Sequence, residues 1–237
     1  MHHVKENTVY EIDRVDVEVL PGSLDYGQVH KLAIAENWQR ECQLNPTLFD
    51  GEIYLAPEAR LEGRSFAASF YRTSFATLMY WRKDTQPVKP WHIFGVGVMV
   101  SADGHLMAAR MSSHNAVAGR VYFPAGSIDD NDIVDGRANY ENNMAREVFE
   151  ETGVNLGDAR REEKIHLVMA DRSIALFRRY YFDLSTADLL KRIETNLALQ
   201  AVPELAEIIP VTKAGAMGQA TPSYVRTFAD WHFENLS

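Results

Sequence analysis

Hydrophobic positions recur along the chain with two periods, and the switches between them predict the elements. Between residues 25 and 43, Val29, Leu32, Ala33, Trp38 and Cys42 fall roughly on one helical stripe, which Asn45-Pro46 ends. Short β-rich pieces follow at 52–56, 60–61 and 65–71, punctuated by Gly51, Pro57 and Gly63. Ser74 is placed to cap a helix over 75–82. The polar run 83–90 then breaks the pattern and predicts a boundary, with an N-terminal extension at 1–90 and a main domain at 91–237. Within the main domain, 93–100 reads as a buried strand, and Ala102-Asp103-Gly104 as a turn into a second strand over 105–111. A short strand at 121–123 leads to Pro124-Ala125-Gly126 and a loop rich in Asp and Asn. A helix is expected over 137–152, with Gly153 as its left-handed cap. Strands at 165–170 and 174–182 flank a tight Asp171-Arg172-Ser173 turn. A helix at 187–199, a strand at 207–211 and a closing helix at 223–235 complete the chain. This order predicts an α/β protein of the α+β type, a mixed sheet with helices on its faces.

Composition narrows the function classes. The 237 residues are 46% hydrophobic and 24% charged, enough to bury a core without covalent staples. A net charge of −9 argues against long nucleic acid as partner, because such binding needs a broad Lys/Arg surface. A small anionic ligand stays open, since a divalent cation inverts the local field. The single cysteine, Cys42, leaves no intramolecular disulfide or cysteine-rich zinc site, and reads as a small apolar helix residue. No apolar run is long enough to span a bilayer, and the opening Met1-His2-His3-Val4-Lys5-Glu6 is too polar for a signal peptide. A cytoplasmic location without membrane contact is the expectation.

The segment with chemical content is Arg146-Glu147-Val148-Phe149-Glu150-Glu151-Thr152-Gly153-Val154. On a helix, Glu147, Glu150 and Glu151 stand at i, i+3 and i+4 and share a face. Like charges at these spacings destabilise a helix by roughly 0.2–0.5 kcal/mol per pair. Two of them also lie in the last turn, where the helix dipole disfavours anions by about 0.3–1 kcal/mol. A hard divalent cation, Mg²⁺ or alternatively Mn²⁺, removes the conflict and brings substrate phosphates with it. Arg146 can turn back to one of the glutamates and hold the face in place. The competing reading of the three glutamates alone is a solvated acidic helix end.

The flanking residues decide between the two. From Arg146 to Val154 the chain resembles the second half of the Nudix box, Arg-Glu-apolar-x-Glu-Glu-x-Gly-apolar, at all seven specified positions. The hairpin strands and Pro124-Ala125-Gly126 before the box agree with it. The resemblance implies a Nudix-like mixed sheet flanked by helices, preceded here by a small N-terminal α/β extension. It also implies Mg²⁺-dependent hydrolysis of a diphosphate linkage in a nucleoside diphosphate derivative. Glu147, Glu150 and Glu151 then hold the metal, and Arg146 belongs to the catalytic set. The segment Asn45-Pro46-Thr47-Leu48-Phe49-Asp50-Gly51-Glu52 resembles the leading region of Nudix proteins acting on UDP-sugars, which makes a nucleotide sugar the preferred substrate. Residues 1–90 are given the working role of a lid or substrate-selecting partner.

The match has a departure. The pattern places a glycine 14 residues before the arginine and a glutamate 8 before it, where this chain has Asp132 and Ala138. Gly126 is the counterpart glycine, with a six-residue insertion in the loop 127–136, and Asp135 is the candidate substitute for the missing glutamate. An EF-hand reading of the same loop fails: with Gly136 at the loop glycine, Ile133 and Asn142 occupy ligand positions.

The family resemblance implies a general base outside the box, for which Glu204 and Glu207 are the candidates. A box glutamate is the alternative. Arg110 and Arg120 are candidates for phosphate contact, each with a solvated strand end as its other reading. Trp91, Tyr122 and Phe123 could stack on a base, although strand aromatics are usually core. His92, His105, His114 and His166 lack ligand spacing and read as structural, and Gly95-Val96-Gly97 is no dinucleotide fingerprint. The expected partner is a small nucleotide, and a homodimer is compatible with this class. The rival function is a non-catalytic module that senses a nucleotide derivative; the intact glutamate face argues against it.

Overall fold

The structure, a computed structural model, describes residues 1, 4–86 and 88–236. The N-terminal part contains strands β1 (Tyr10–Ile12) and β2 (Arg14–Val19), then helices α1 (Asp25–Val29) and α2 (Lys31–Leu44). Strands β3 (Glu52–Glu62) and β4 (Ser65–Ser74) and helix α3 (Phe75–Trp81) follow. Next come β5 (His92–Val100), β6 (Leu106–Met111), β7 (Val121–Tyr122), β8 (Ile133–Val134) and β9 (Arg137–Ala138). Helix α4 (Tyr140–Thr152) precedes β10 (Arg160–Arg161), β11 (Ile165–Ala170) and β12 (Ser173–Tyr181). Helix α5 (Thr186–Leu197), β13 (Leu205–Val211) and α6 (Ser223–Glu234) end the fold.

Among the described residues these strands form two mixed sheets. The larger runs β1-β11-β12-β5-β6-β13, with β10 beside β12 and β7 beside β6. Its centre is the parallel pair β5 and β12, in register from Ser173↔His92 to Tyr181↔Val100. β5 is buried throughout, which explains its unbroken apolar run. The smaller sheet runs β3-β4-β2-β9-β8. The mixed α+β architecture expected from the element order is the one observed.

Helices cover both faces of the larger sheet. On one side α4 lies against β5, where a Cβ on Gly95 would crowd Asn143 and Met144, and one on Gly97 would overlap Leu156 and Val148. These two glycines let helix and strand approach closely, a packing role in place of any phosphate cradle. On the other side α6 places Phe228 flat on Phe177, with ring centroids 4.2 Å apart, a pair contributing about 0.5–1.5 kcal/mol beyond burial.

The segments on either side of residue 90 are interleaved. β1 forms an edge of the larger sheet by pairing with β11. β9, from the loop before α4, pairs with β2 in the smaller sheet. A single apolar cluster joins Val17, Phe66 and Phe70 to Met144, Val148 and Leu167. Lys89 ties the connecting run down, donating to the carbonyls of Trp81 at 3.2 Å and Asp84 at 2.8 Å with its ammonium over the Trp81 ring.

Several expected elements shift. β2 was not anticipated, although Val15, Val17 and Val19 alternate with polar residues. The pieces at 52–56 and 60–61 are one strand, continued past Pro57 by a register shift between Leu55 and Glu58. The helix over 25–43 divides at His30, and its stripe is misplaced by about one position. Val29 and Leu32 are exposed, while Ile34 and Asn37 face inward. The helix expected from residue 137 starts at Tyr140, because Arg137 and Ala138 are taken up by β9. Among the described residues no helix is long and apolar enough to cross a membrane.

Candidate active site

Helix α4 carries the glutamate face. Asn139 caps it by accepting from the Asn142 amide at 3.0 Å, and Gly153 ends it at φ 70°, as expected. Val148 and Met144 face the sheet, which turns Glu147 and Glu151 toward the neighbouring loop and sheet edge. Glu147 is mostly buried and rests against Gly126, where any Cβ would overlap its carboxyl group. Gly126 leaves room for the Glu147 carboxyl by having no side chain of its own.

Charge in this corner is crowded. Burial, reinforced by Glu150, Asp132 and Glu204, pushes the Glu147 carboxyl up to about 7, against the opposing pull of Arg146. Glu151 is 5% exposed, and burial together with Glu147, Glu204 and Glu150 holds it well above the usual carboxylate range. One of its oxygens, Oε2, is buried without a hydrogen-bond partner; the Ala125 amide serves the carboxylate otherwise. Such an orphaned buried acceptor is expensive unless something else binds it.

Arg146 organises the corner from the other side. It donates to both oxygens of Asp132, at 3.3 Å from Nε and 2.7 Å from Nη2, and lies 2.8 Å from Glu147 and 3.1 Å from Glu150. Burial opposes its charge, but the hydrogen bonds to Asp132 and the charges of Glu147 and Asp129 raise its pKa further. Asp132 is fully buried and also accepts from Asn143 at 3.0 Å. Asp132, within the loop that reads as an insertion, thus anchors the arginine, a role not expected from sequence. Among the described residues no three His, Cys, Asp or Glu side chains converge as a ready-made metal site, and Glu147 and Glu150 both pair with Arg146.

The insertion has a structural explanation. Asp129 caps a short 3₁₀ turn over Asp130–Asp132, and Ile133 to Ala138 form the β8–β9 hairpin. Its two-residue turn is Asp135-Gly136, with φ of 50° and 72°, the Asp-Gly pairing suited to a type I′ hairpin. Asp135 is exposed at this turn, remote from the glutamates by its place in the hairpin, so its expected role as substitute glutamate is not met. Ala138 lies in β9, before the helix begins, so it could not place a carboxylate on the α4 face. Asp130 links the loop to the smaller sheet, accepting from Tyr54 at 2.5 Å and pairing with Arg72.

The two candidate bases are separated by geometry. Glu204 is exposed and acts electrostatically on both Glu147 and Glu151. Glu207 instead stands opposite Arg110 in the β6–β13 ladder and pairs with it at 3.0 Å. Arg110 also donates to the Gly119 carbonyl at 3.4 Å, so that pair is a cross-strand contact outside the cavity. Arg120 is a cavity residue.

A cavity of about 650 Å³ opens beside Glu151. β5 and β6 pair at Val100↔Leu106 and then part, and His92 and Phe94 on one strand face the cavity with Ala109 and Met111 on the other. Tyr122, Phe123 and Tyr224 also line it. Phe123 is core as well, edge-on to Phe177 and Phe228, whereas Trp91 is covered by Arg172 at 4.4 Å and does not reach the cavity. His92, read from sequence as structural, is buried at the cavity wall beside Phe94, with Nε2 3.0 Å from Ser127 Oγ. Burial holds its pKa down at about 3, so it stays neutral. His105 and His166 have structural partners in Thr186 and Glu162. The Asn45 side chain donates to the backbone carbonyl of His114.

No family model matches the chain. No curated protein matches it either. Among solved structures it is similar to a MutT protein from Methanosarcina mazei Go1, at 21% identity and a TM-score of 0.42 over 64% of this chain and 100% of that one. DR0079 from Deinococcus radiodurans matches at 14% identity and a TM-score of 0.34, over 61% of this chain and 89% of that one.

Proposed function

We propose that this chain hydrolyses a diphosphate linkage in a nucleoside diphosphate derivative, with a nucleotide sugar as the preferred class. Glu147, Glu150 and Glu151 would hold a divalent cation, Mg²⁺ or Mn²⁺, next to the substrate phosphates. The observation that carries the reading is Glu151, a buried carboxylate with one unpartnered oxygen, lining a cavity of about 650 Å³ beside Glu147 and Glu204. An all-oxygen set of crowded carboxylates fits a hard cation, which takes its remaining ligands from water and phosphate. The seven-position match from Arg146 to Val154 supports the same reading.

Each residue then has a task. Glu151 and Glu147 supply oxygens at the cavity wall, and Glu150 joins them by releasing Arg146. When bound, the cation neutralises phosphate charge and lowers the pKa of water. Glu204, exposed and close to the buried pair, accepts the proton of the attacking water. Arg146, held by Asp132, keeps the carboxylates from spreading apart. Phe94 and Tyr122 line the cavity with aromatic surface, which limits competing water.

The rival reading, a module that binds such a ligand without cleaving it, draws on one observation: Arg146 already pairs with Glu147 and Glu150. A screen of nucleoside diphosphate sugars, dinucleotides, coenzyme A and nucleoside triphosphates with Mg²⁺ or Mn²⁺ separates the two. Turnover abolished by EDTA is expected. It falls by at least ~100-fold in Glu151→Gln and by about 10²–10⁴-fold in Glu204→Gln. Metal-dependent turnover unchanged in both Glu150→Gln and Glu151→Gln would sink the proposal.

A further inference from the structure

Besides Asp171 and the Lys83–Glu41 ion pair, the cavity has an acidic end and a cationic one. Glu151 is surrounded by Glu147, Glu150 and Glu204. Arg82 and Arg120 form a second group with the phenols of Tyr122 and Tyr224. Both arginines line the cavity, and among the described residues neither has a carboxylate partner. Arg82 donates only to Met79 Sδ at 3.6 Å and lies 5.8 Å from the Phe75 ring centroid. Most other arginines here behave differently: Arg64, Arg72, Arg110, Arg137, Arg146, Arg161, Arg178, Arg179 and Arg192 all pair with acids. Desolvation, and secondarily the charge of Arg120, works against the Arg82 guanidinium. The two cations are thus held near one another without a carboxylate bonded to either, while the nearby Glu41 of the cavity wall is taken by Lys83.

We propose that Arg82 and Arg120 form a clamp for a phosphate group of the ligand, so that residues 1–90 take part directly in substrate binding through Arg82. The substrate class rests on the hydrolase reading above; the phosphate clamp itself does not. Two guanidiniums match the double charge of a phosphate better than the single charge of a carboxylate, and each can bond it through a planar fork. The clamp and the glutamate corner are within reach of one molecule. Ala125, whose amide serves Glu151, is five residues from Arg120, a span of at most about 17 Å even fully extended. Tyr122 and Tyr224 add hydroxyl donors at the cationic end.

Calorimetric titration with inorganic phosphate in EDTA, at low ionic strength, tests the clamp without turnover or metal. Wild type is expected to bind phosphate with acetate competing weakly. Arg82→Ala and Arg120→Ala each weaken it about ten- to hundredfold. Arg82→Lys recovers part of the loss, and Arg160→Ala, on the opposite side of the sheet order at β10, changes nothing. Thermal melting of the variants close to wild type ties any loss to binding rather than folding. Phosphate affinity unchanged in both alanine variants overturns the clamp, even in an active hydrolase, as does acetate binding as tightly as phosphate. Loss of phosphate binding in the variants of a protein that hydrolyses nothing supports the clamp and overturns only the hydrolase reading.

Discussion

Asp132 shows how one residue changes the meaning of a motif. It lies in the loop that reads as an insertion, yet its fully buried carboxylate binds Arg146 through both oxygens. Removing one partner of a buried ion pair leaves the other charge uncompensated, which costs about 3–5 kcal/mol. Asp132→Ala is therefore expected to lower unfolding stability by roughly that amount in urea. Glu163→Ala, at an exposed position, should shift it by less than about 0.5 kcal/mol. Equal effects of the two substitutions would show that the Arg146 anchor is unimportant. Gly126 works the opposite way, contributing by having no side chain where the Glu147 carboxyl must lie.

Among the elements, α4 depends on what meets its ends and its inner face. Gly153 takes a left-handed φ of 70°, and a Cβ there would also overlap the Asn196 side chain of α5. Gly153→Ala combines roughly 1–2 kcal/mol of backbone strain with that clash. It should lower the urea midpoint measurably. A double variant with Asn196→Ala should recover the steric share alone, leaving the backbone share in place. No recovery at all would place the whole effect in the backbone. The β8–β9 hairpin is the other element with an outsized role. By pairing β9 with β2 it ties the loop before α4 to the smaller sheet, while Asp130 adds bonds from Tyr54 and Arg72.

Over the whole molecule, acid should be a specific enemy. Glu162 on the β10 side bonds Arg179 and His166; burial opposes its charge, but these partners hold its pKa down at about 2. Its stabilisation is complete above the unfolded value near 4.5 and is lost as pH falls toward 2. His92, neutral because it is buried, has a folded pKa near 3 against 6.5 unfolded, so its penalty begins below pH 6.5 and grows toward pH 3. Each group removes up to about 1.4 kcal/mol per pH unit within its window. The raised Glu147 and Glu151 carboxyls work the other way, gaining stability as pH falls from about 7 to 4.5, so the His92 penalty is read as a difference between two proteins. His92→Gln should gain in melting temperature relative to wild type as pH falls from 6.5 toward 3. Identical pH profiles for the two proteins would remove His92 from this account.

Local pattern was enough for much of this protein. The buried run of β5, the Ser74 and Gly153 caps, the Asp171-Arg172 turn and the shared face of three glutamates all depend on neighbours within a few residues. Backbone preference and helical or strand period therefore speak for themselves there. Other features depended on partners far along the chain. The burial of Asp132 needs Arg146, the edge position of β1 needs β11, and the start of α4 waits on β9 pairing with β2. The choice of Glu204 over Glu207 needed the β6–β13 register, which gives Glu207 to Arg110. Arg82 lies beyond any local signal, since only the packing of α3 beside the parted β5 and β6 brings it to Arg120. Sequence alone could say that three carboxylates crowd one helix face, because that conflict is built into one helix. Which charges are already compensated, and which face an open cavity, was decided by tertiary contacts that no period encodes.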